Sequence, residues 1–484
     1  MQWKTTLALL IATIGIGSYI SLYELKQPSP EQRERLSKQL LDVQPDTVSQ
    51  LVLDLPQAKV TLAREGSAWT LAPNGVRADG DLVGRILDLL SPLTAERILS
   101  GTPQQPLDLK AFGLDPAVGW LSLVADGAPA TLLIGETTPV GGNRYAKLAD
   151  HPEIAVVPAR LFEDANQSSG TFRDPLLIRF DAWSADGLTV ASAGGTFSLT
   201  RSNNAWRLAQ PLSDAAERSD VNALLSSLSG IRVKRFVNGA PQVEELATWG
   251  FEHPKAEVEL SRQSVTPPRT TIFFGSPLAD DASLVYAKRD DEPAIYAVAS
   301  ADVEALLKDP HGLRARACFE FFTTNVSKVE LTWEGASWTI EKTEGQWRAA
   351  GSDATLDTPR VEQFLSELAD LRVSGFMEDA PKDMAPYGLT PPGGVIAVWT
   401  TDRSEPQRLL VGSMIEGSTN RYGRIEGRAA VVRLPELIEE LSKITVDSFR
   451  PSVAPSSTPQ SPSNPEPAAA GAAPADQPTT QSSR

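Results

Sequence analysis

The chain has 484 residues, with 45 Lys and Arg against 61 Asp and Glu, so its formal net charge is −16 and its sequence pI is near 4.8. At roughly 150 residues per domain the length accommodates about three domains, and the acidity argues against a phosphate-tracking nucleic-acid surface, which needs a basic patch. An apolar content of 41% and a charged content of 22% are those of a packed globular chain, while the single cysteine, Cys318, excludes an intrachain disulfide and every multi-cysteine metal centre.

Residues 5–22 carry no charge, and 18 residues at about 1.5 Å rise span roughly 27 Å, near one hydrocarbon core. Trp3 precedes this stretch and Tyr19 and Tyr23 stand at its far end, where amphipathic rings favour the membrane–water boundary, and Lys4 marks the short side as cytoplasmic. A cleaved secretory signal is the competing reading, but Gly15-Ile16-Gly17 and Gly17-Ser18 are poor cleavage sites followed by further apolar residues. Residues 1–27 are therefore expected to be an uncleaved transmembrane anchor in the inner (cytoplasmic) membrane, with the bulk of the chain periplasmic or otherwise extracytoplasmic. Residues 28–47 are expected to form a juxtamembrane helix and linker. Ser29-Pro30-Glu31-Gln32 has the form of a capping box with proline at the first helical position, and Leu36, Leu40 and Leu41 fit one face of a helix ending before Pro45.

From there the chain repeats itself with a spacing of about 140 residues, too long for a solenoid unit and long enough for each copy to hold its own core. The blocks are read as 48–174, 175–315 and 316–450. Each opens with an alternating hairpin whose second strand carries a tryptophan: Trp69 after the turn Glu65-Gly66-Ser67, Trp206 after Ser202-Asn203-Asn204, and Trp347 after Thr343-Glu344-Gly345. A helix follows with apolar residues at i, i+3, i+4 and i+7: Val83, Ile86, Leu87 and Leu90; Val221, Leu224, Leu225 and Leu228; Val361, Phe364, Leu365 and Leu368. Thr358-Pro359 supplies the third with a start signal. Fifteen positions after each leading valine stands Ile98, Phe236 or Phe376, in short strands expected to pair with the hairpin.

The second half of each block begins at a glycine turn, Gly113-Leu114-Asp115-Pro116, Gly250-Phe251-Glu252-His253-Pro254 or Gly388-Leu389-Thr390-Pro391. Strands ending at Gly135, Gly275 and Gly412 come next, then Arg144-Tyr145-Ala146-Lys147, Val285-Tyr286-Ala287-Lys288 and Arg421-Tyr422-Gly423-Arg424. A last strand and helix close each block. The fold class expected is α+β: three tandem repeats of antiparallel sheet with about two helices each. Residues 451–484, with eight prolines and no aromatic residue, are expected to be a disordered Pro/Ala/Ser-rich tail, because they cannot bury enough apolar surface to offset chain entropy.

The apolar start, followed by the hairpin tryptophan, the Gly113-Leu114-Asp115-Pro116 turn, the Ile134-Gly135 strand end and Arg144-Tyr145-Ala146, with these block motifs recurring in the same order in the later blocks, resembles the bacterial uncharacterised-domain family DUF4340. The resemblance covers roughly residues 1–450. It implies a membrane-anchored extracytoplasmic protein, often encoded beside ABC-type transporters of the gliding-motility kind, with no established catalytic residues to carry over. The second block departs from the pattern, with Val285 where the others have arginine and Glu252-His253 in its turn.

The chain contains no P-loop, zincin pair or nucleophile elbow, so no catalytic, cofactor-binding or metal residue is assigned and no cofactor is expected. His151, His253 and His311 fall in loops and read as solvated side chains. Cys318, in the apolar run Ala317-Cys318-Phe319-Glu320-Phe321-Phe322, reads as a buried thiol. Arg144-Tyr145 and Arg421-Tyr422 have the chemistry to bind a carboxylate, phosphate or sugar, but a tyrosine packed on the core and an arginine paired locally are the plainer reading, as is hairpin core for Trp69, Trp206 and Trp347. The expected function is a non-enzymatic auxiliary or scaffold component of an ABC-type transporter or envelope complex, with the membrane (through 5–22) and transporter subunits as partners and no nucleic acid. The alternatives are a multivalent envelope-polymer binding protein, recognising carbohydrate or peptidoglycan through equivalent surfaces, and, less favoured, an extracytoplasmic hydrolase.

Overall fold

The computed structural model describes residues 3, 34, 36–66, 68–102, 105–238, 242–262 and 268–451. The expected anchor at 5–22 and all but the first residue of the expected tail lie outside these. Among the described residues no helix is long and apolar enough to cross a membrane. Two compact units divide at Ala315, the first holding two large antiparallel sheets and the second holding one.

In the first block nine strands lie side by side in the order Val76–Arg77, Ala68–Ala72, Lys59–Glu65, Val48–Asp54, Gly119–Ala125, Ala128–Thr137, Arg144–Leu148, Ile154–Val157 and Arg97–Leu99. The second block repeats this order in nine strands, from Asp214–Ala215 at one edge to Val233–Asn238 at the other, and the third in eight, from Gln346–Ala349 to Gly375–Glu378. An isolated bridge between Arg348 and Thr355 stands where the third block's outermost strand would be. The chain is mostly sheet, with few helices. Period-two alternation buries one face of most strands: along Val48–Asp54, Leu51 and Leu53 are buried, and a bulge between Val48 and Gln50 lets the buried Val48 join the same core.

The helices Gly80–Leu90, Arg218–Ser229 and Thr358–Ala369 lay their apolar stripe on that face. Val83, Val221 and Val361 are each 0% exposed, and each amide donates to the carbonyl of the residue capping its helix: Asp79 at 3.0 Å, Glu217 at 3.0 Å and Asp357 at 3.1 Å. The three leading valines thus occupy equivalent surroundings. In the third helix the capping side chain is Asp357, which accepts from the Arg360 amide at 3.3 Å. Thr358 and Pro359 lie just inside the helix.

Two expectations are corrected. The helix expected over 28–47 gives way by Gln39–Leu41 to a strand that pairs with Leu93–Thr94. The leucines that suggested one helical face, Leu40 and Leu41, pack with Val43 against the first core, and the exposed backbone edge at Leu93 supplies hydrogen bonds that a short isolated helix cannot match. The strands holding Ile98, Phe236 and Phe376 do not pair with the hairpin. They pair with the block's last strand, Ile98 opposite Ala155, Phe236 opposite Tyr296 and Phe376 opposite Val432, because the helix carries the chain to the opposite edge of the sheet.

Candidate functional site

The repeated turn and strand motifs form one structural latch. Gly113, Gly250 and Gly388 adopt φ of +66°, +79° and +67°, the left-handed conformation glycine reaches without steric cost, and they end short helical turns pressed onto the neighbouring strand. A Cβ on Gly135, Gly275 or Gly412 would overlap the carbonyl oxygen of Phe112, Trp249 or Tyr387. The strand glycine is therefore fixed by close backbone approach. The aromatic residue before each turn meets the tyrosine of the next strand: Phe112 with Tyr145 at 4.9 Å between centroids, Trp249 with Tyr286 at 5.7 Å, and Tyr387 with Tyr422 at 5.1 Å.

The arginines complete the latch. Arg144 Nη1 donates to the Gly135 carbonyl at 3.0 Å, and the guanidinium lies 3.7 Å from the Phe162 ring centroid. Arg421 Nη1 donates to the Gly412 carbonyl at 3.2 Å and its Nε pairs with Glu439. Val285, in the second block, is 0% exposed. Arginine and tyrosine are thus both engaged within the fold.

The other candidates do not converge. His151 and His253 are exposed in separate loops, and His311 is exposed on the short helical turn Pro310–Leu313. Cys318 is 3% exposed, and burial pushes its thiol up to about 12. Trp69, Trp206 and Trp347 are 7%, 5% and 1% exposed, so their indole faces belong to the hairpin cores and cannot serve as stacking platforms. Among the described residues no group of three or more His, Cys, Asp or Glu could hold a metal ion.

Two features were not read from the sequence. The first is the connector between blocks. The Asp79 amide donates to the Phe172 carbonyl at 2.8 Å, the Glu217 amide to Leu313 at 2.8 Å and the Asp357 amide to Phe449 at 2.7 Å. An arginine follows each acceptor, and the three are handled differently. Arg173 lies 4.8 Å from the Phe236 ring centroid. Arg314, 1% exposed, pairs through Nε with the buried Asp214 at 2.7 Å, and Arg450 pairs with Asp447 on the surface at 2.7 Å. The connector after Arg173 is bound on both sides: the Asp174 amide donates to the Arg77 carbonyl at 3.0 Å, and the Leu177 amide to Ile231 at 2.9 Å. Asp174, 3% exposed, pairs with Arg179 at 2.8 Å and Arg77 at 3.3 Å. The Leu177 carbonyl accepts from Arg77 of the first block at 3.3 Å and from Arg289 of the second at 3.2 Å. Arg289 in turn pairs with Glu292 at 3.4 Å, whose carboxyl burial holds above its ordinary value.

The second feature is a cleft that recurs in place. In the first block it measures about 390 Å³ and is lined by Asp54, Lys59, Asn74, Trp120, Ser169 and Arg173 among others. In the second it measures about 600 Å³ and is lined by Ser192, Thr196, Pro211, Lys308, Asp309 and His311 among others. Both volumes fall within the range of small-molecule sites. Each cleft opens between the first hairpin and the short turn after the closing helix, Ser169–Phe172 or Pro310–Leu313. Val60 and Phe197 line it from equivalent strand positions, facing Leu53 and Val190. At the matching position of the third block, facing Leu331, stands Trp338. Its Nε1 donates to the Ile444 carbonyl at 2.8 Å, and its ring lies 5.8 Å from Phe364 and 5.7 Å from Phe449. Trp338 is half-buried there, whereas Val60 and Phe197 are 9% and 4% exposed.

A family model described as a domain of unknown function, DUF4340, matches the chain in three overlapping segments, 69–242, 206–392 and 347–453, beginning at the three hairpin tryptophans. Neither a curated protein nor a solved structure matches it.

Proposed function

We propose, from the premise that the chain belongs to the DUF4340 family, that it is a non-enzymatic scaffold anchored in the inner membrane by residues 5–22, presenting three similar extracytoplasmic domains as an auxiliary component of an ABC-type transporter or envelope complex. One observation carries this reading. The motifs that recur in all three blocks, the turn glycines, the strand glycines and the aromatic pairs, are engaged in folding, so what the repeats preserve is a shape. A preserved shape under varied surfaces suits protein contacts, and the uncharged stretch at 5–22 has the length to hold that shape at a bilayer.

The test is affinity capture of the full chain from solubilised membranes at native expression. Recovery of transporter subunits, dependent on residues 5–22, is the expected result. A chain found wholly in the soluble fraction, or captured without any transporter subunit, overturns the proposal.

A further inference from the structure

We propose that the joint between the first and second blocks is a proton-operated clasp, in which Glu292 is protonated while the joint is closed and ionised once it opens to water. The inference is independent of the scaffold reading. The clasp is built from residues that the second block alone carries. Where the first block has Leu148 and Ala155, and the third Ile425 and Val432, the second has Arg289 and Tyr296 at the same strand positions. The repeated fold closes there with an apolar pair, and a buried charged set is as a rule no more stabilising than the apolar residues it replaces. What the exchange adds is a grip on the connector.

Both side chains reach the first block. Arg289, 7% exposed, donates through Nη1 to the Leu177 carbonyl at 3.2 Å, and the same oxygen accepts from Arg77 at 3.3 Å. The Tyr296 ring meets Phe236 at 5.5 Å between centroids, and Arg173 lies against the Phe236 ring at 4.8 Å. Glu292 joins the two arms: its carboxylate accepts from the Tyr296 hydroxyl at 2.6 Å and lies 3.4 Å from Arg289. Arg289 turns its paired donors to Asp291. On the connector Asp174 is held by Arg77 and Arg179, and Arg179 also holds Asp79 and Asp81. Asp290, in the same loop as Glu292, accepts instead from the Thr271 amide at 2.9 Å. The carboxylates of Asp79, Asp81, Asp174, Asp291 and Glu292 thus outnumber the guanidiniums of Arg77, Arg179 and Arg289. Of the two driest, Asp174 has two arginines and Glu292 a share of one, so the proton settles on Glu292, whose titration burial displaces upward. Opening wets Glu292, returns it to its ordinary value and releases the proton to solvent. Closure binds the proton, so it is favoured in acid and weakens as the pH rises through the displaced value.

The experiment is hydrogen exchange of the full chain in detergent, across about pH 5.5 to pH 8, with the chemical exchange rate of each amide divided out. It is read on peptides covering the connector 174–179 and the strand Val233–Asn238. In the parent chain their opening ratio is expected to rise about fivefold over this range. Glu292→Gln keeps an acceptor for Tyr296 without the charge, and is expected to hold the acid ratio throughout. Should that variant fail to fold, Asp291→Asn, whose parent side chain is 22% exposed, is expected to move the midpoint of the rise to lower pH, because Arg289 then turns to Glu292. Absence of a rise in the parent chain overturns the inference, as does an equal rise in folded Glu292→Gln, or an unmoved midpoint in Asp291→Asn where Glu292→Gln does not fold.

Discussion

Replacing Asp214 by valine, the residue at the matching position of the first block (Val76), removes the carboxylate that faces Arg314 from a site where the two side chains are 2% and 1% exposed and 2.7 Å apart. Desolvation of both ions is already complete in the folded chain, so the variant keeps the buried guanidinium and loses the carboxylate paired with its Nε. Breaking a buried pair in this way costs about 3–5 kcal/mol, a large fraction of the roughly 5–15 kcal/mol that holds a domain folded. Replacing both partners, as Asp214→Val with Arg314→Met, takes the buried charge away altogether and is expected to recover most of the loss. The assay is hydrogen exchange of the full chain across a urea series, followed on peptides from Arg218–Ser229, whose leading residues sit on the same connector. A single variant that loses less than about 1 kcal/mol, or a double variant as weak as the single, would refute the reasoning that Asp214 offsets the burial of Arg314.

Gly412→Ala forces a Cβ into the Tyr387 carbonyl and is expected to cost about 1–3 kcal/mol, read as a lower urea midpoint for the third block; an unchanged midpoint would show that the latch yields. Asp357→Ala removes the side chain that accepts from the Arg360 amide and should cost about 1 kcal/mol, seen as faster exchange confined to the first turn of Thr358–Ala369. Cys318 should resist thiol reagents at pH 8 until the third block unfolds, since its buried thiol stays protonated; labelling at the rate of a free thiol would contradict this. Between the ordinary value of 9.0 and about 12 the unfolded chain releases this proton and the folded chain keeps it, so the contribution of Cys318 to stability is full below that window and falls by about 1.4 kcal/mol per pH unit within it. Cys318→Ala should therefore show a shallower alkaline loss than the parent chain, and equal slopes would refute the assignment.

What the sequence made legible is what local periodicity encodes. The i, i+3, i+4, i+7 stripes placed Val83, Val221 and Val361 correctly because a helix buries one face whatever its partner, and tryptophan-bearing hairpins announce themselves through turn residues such as Asn203 and Gly345, both at positive φ. Pairing over long separations was not legible: Ile98 finds Ala155 and not the nearer hairpin because sheet order is decided by where the helix delivers the chain. Leu40 and Leu41 misled because spacing suited to a helix was met by a strand edge offering hydrogen bonds. The clefts needed residues more than a hundred positions apart to meet, such as Lys59 and Ser169. Yet the exchange of Val60 and Phe197 for Trp338 was visible once the blocks were aligned, and so was the arginine ending each block, whose three different environments were not.

The strand Val48–Asp54 lies between Lys59–Glu65 and Gly119–Ala125 near the middle of its sheet, although it precedes Trp69, where the first family match begins. The recurring stretch of sequence and the sheet it builds are therefore out of phase. A fragment cut at the tryptophan would lose both Val48–Asp54 and Lys59–Glu65, leaving Gly119–Ala125 with a raw edge and an uncovered row of amides prone to self-association. A cut that isolates the third block belongs just ahead of its incoming strand, near residue 316, where the two compact units divide.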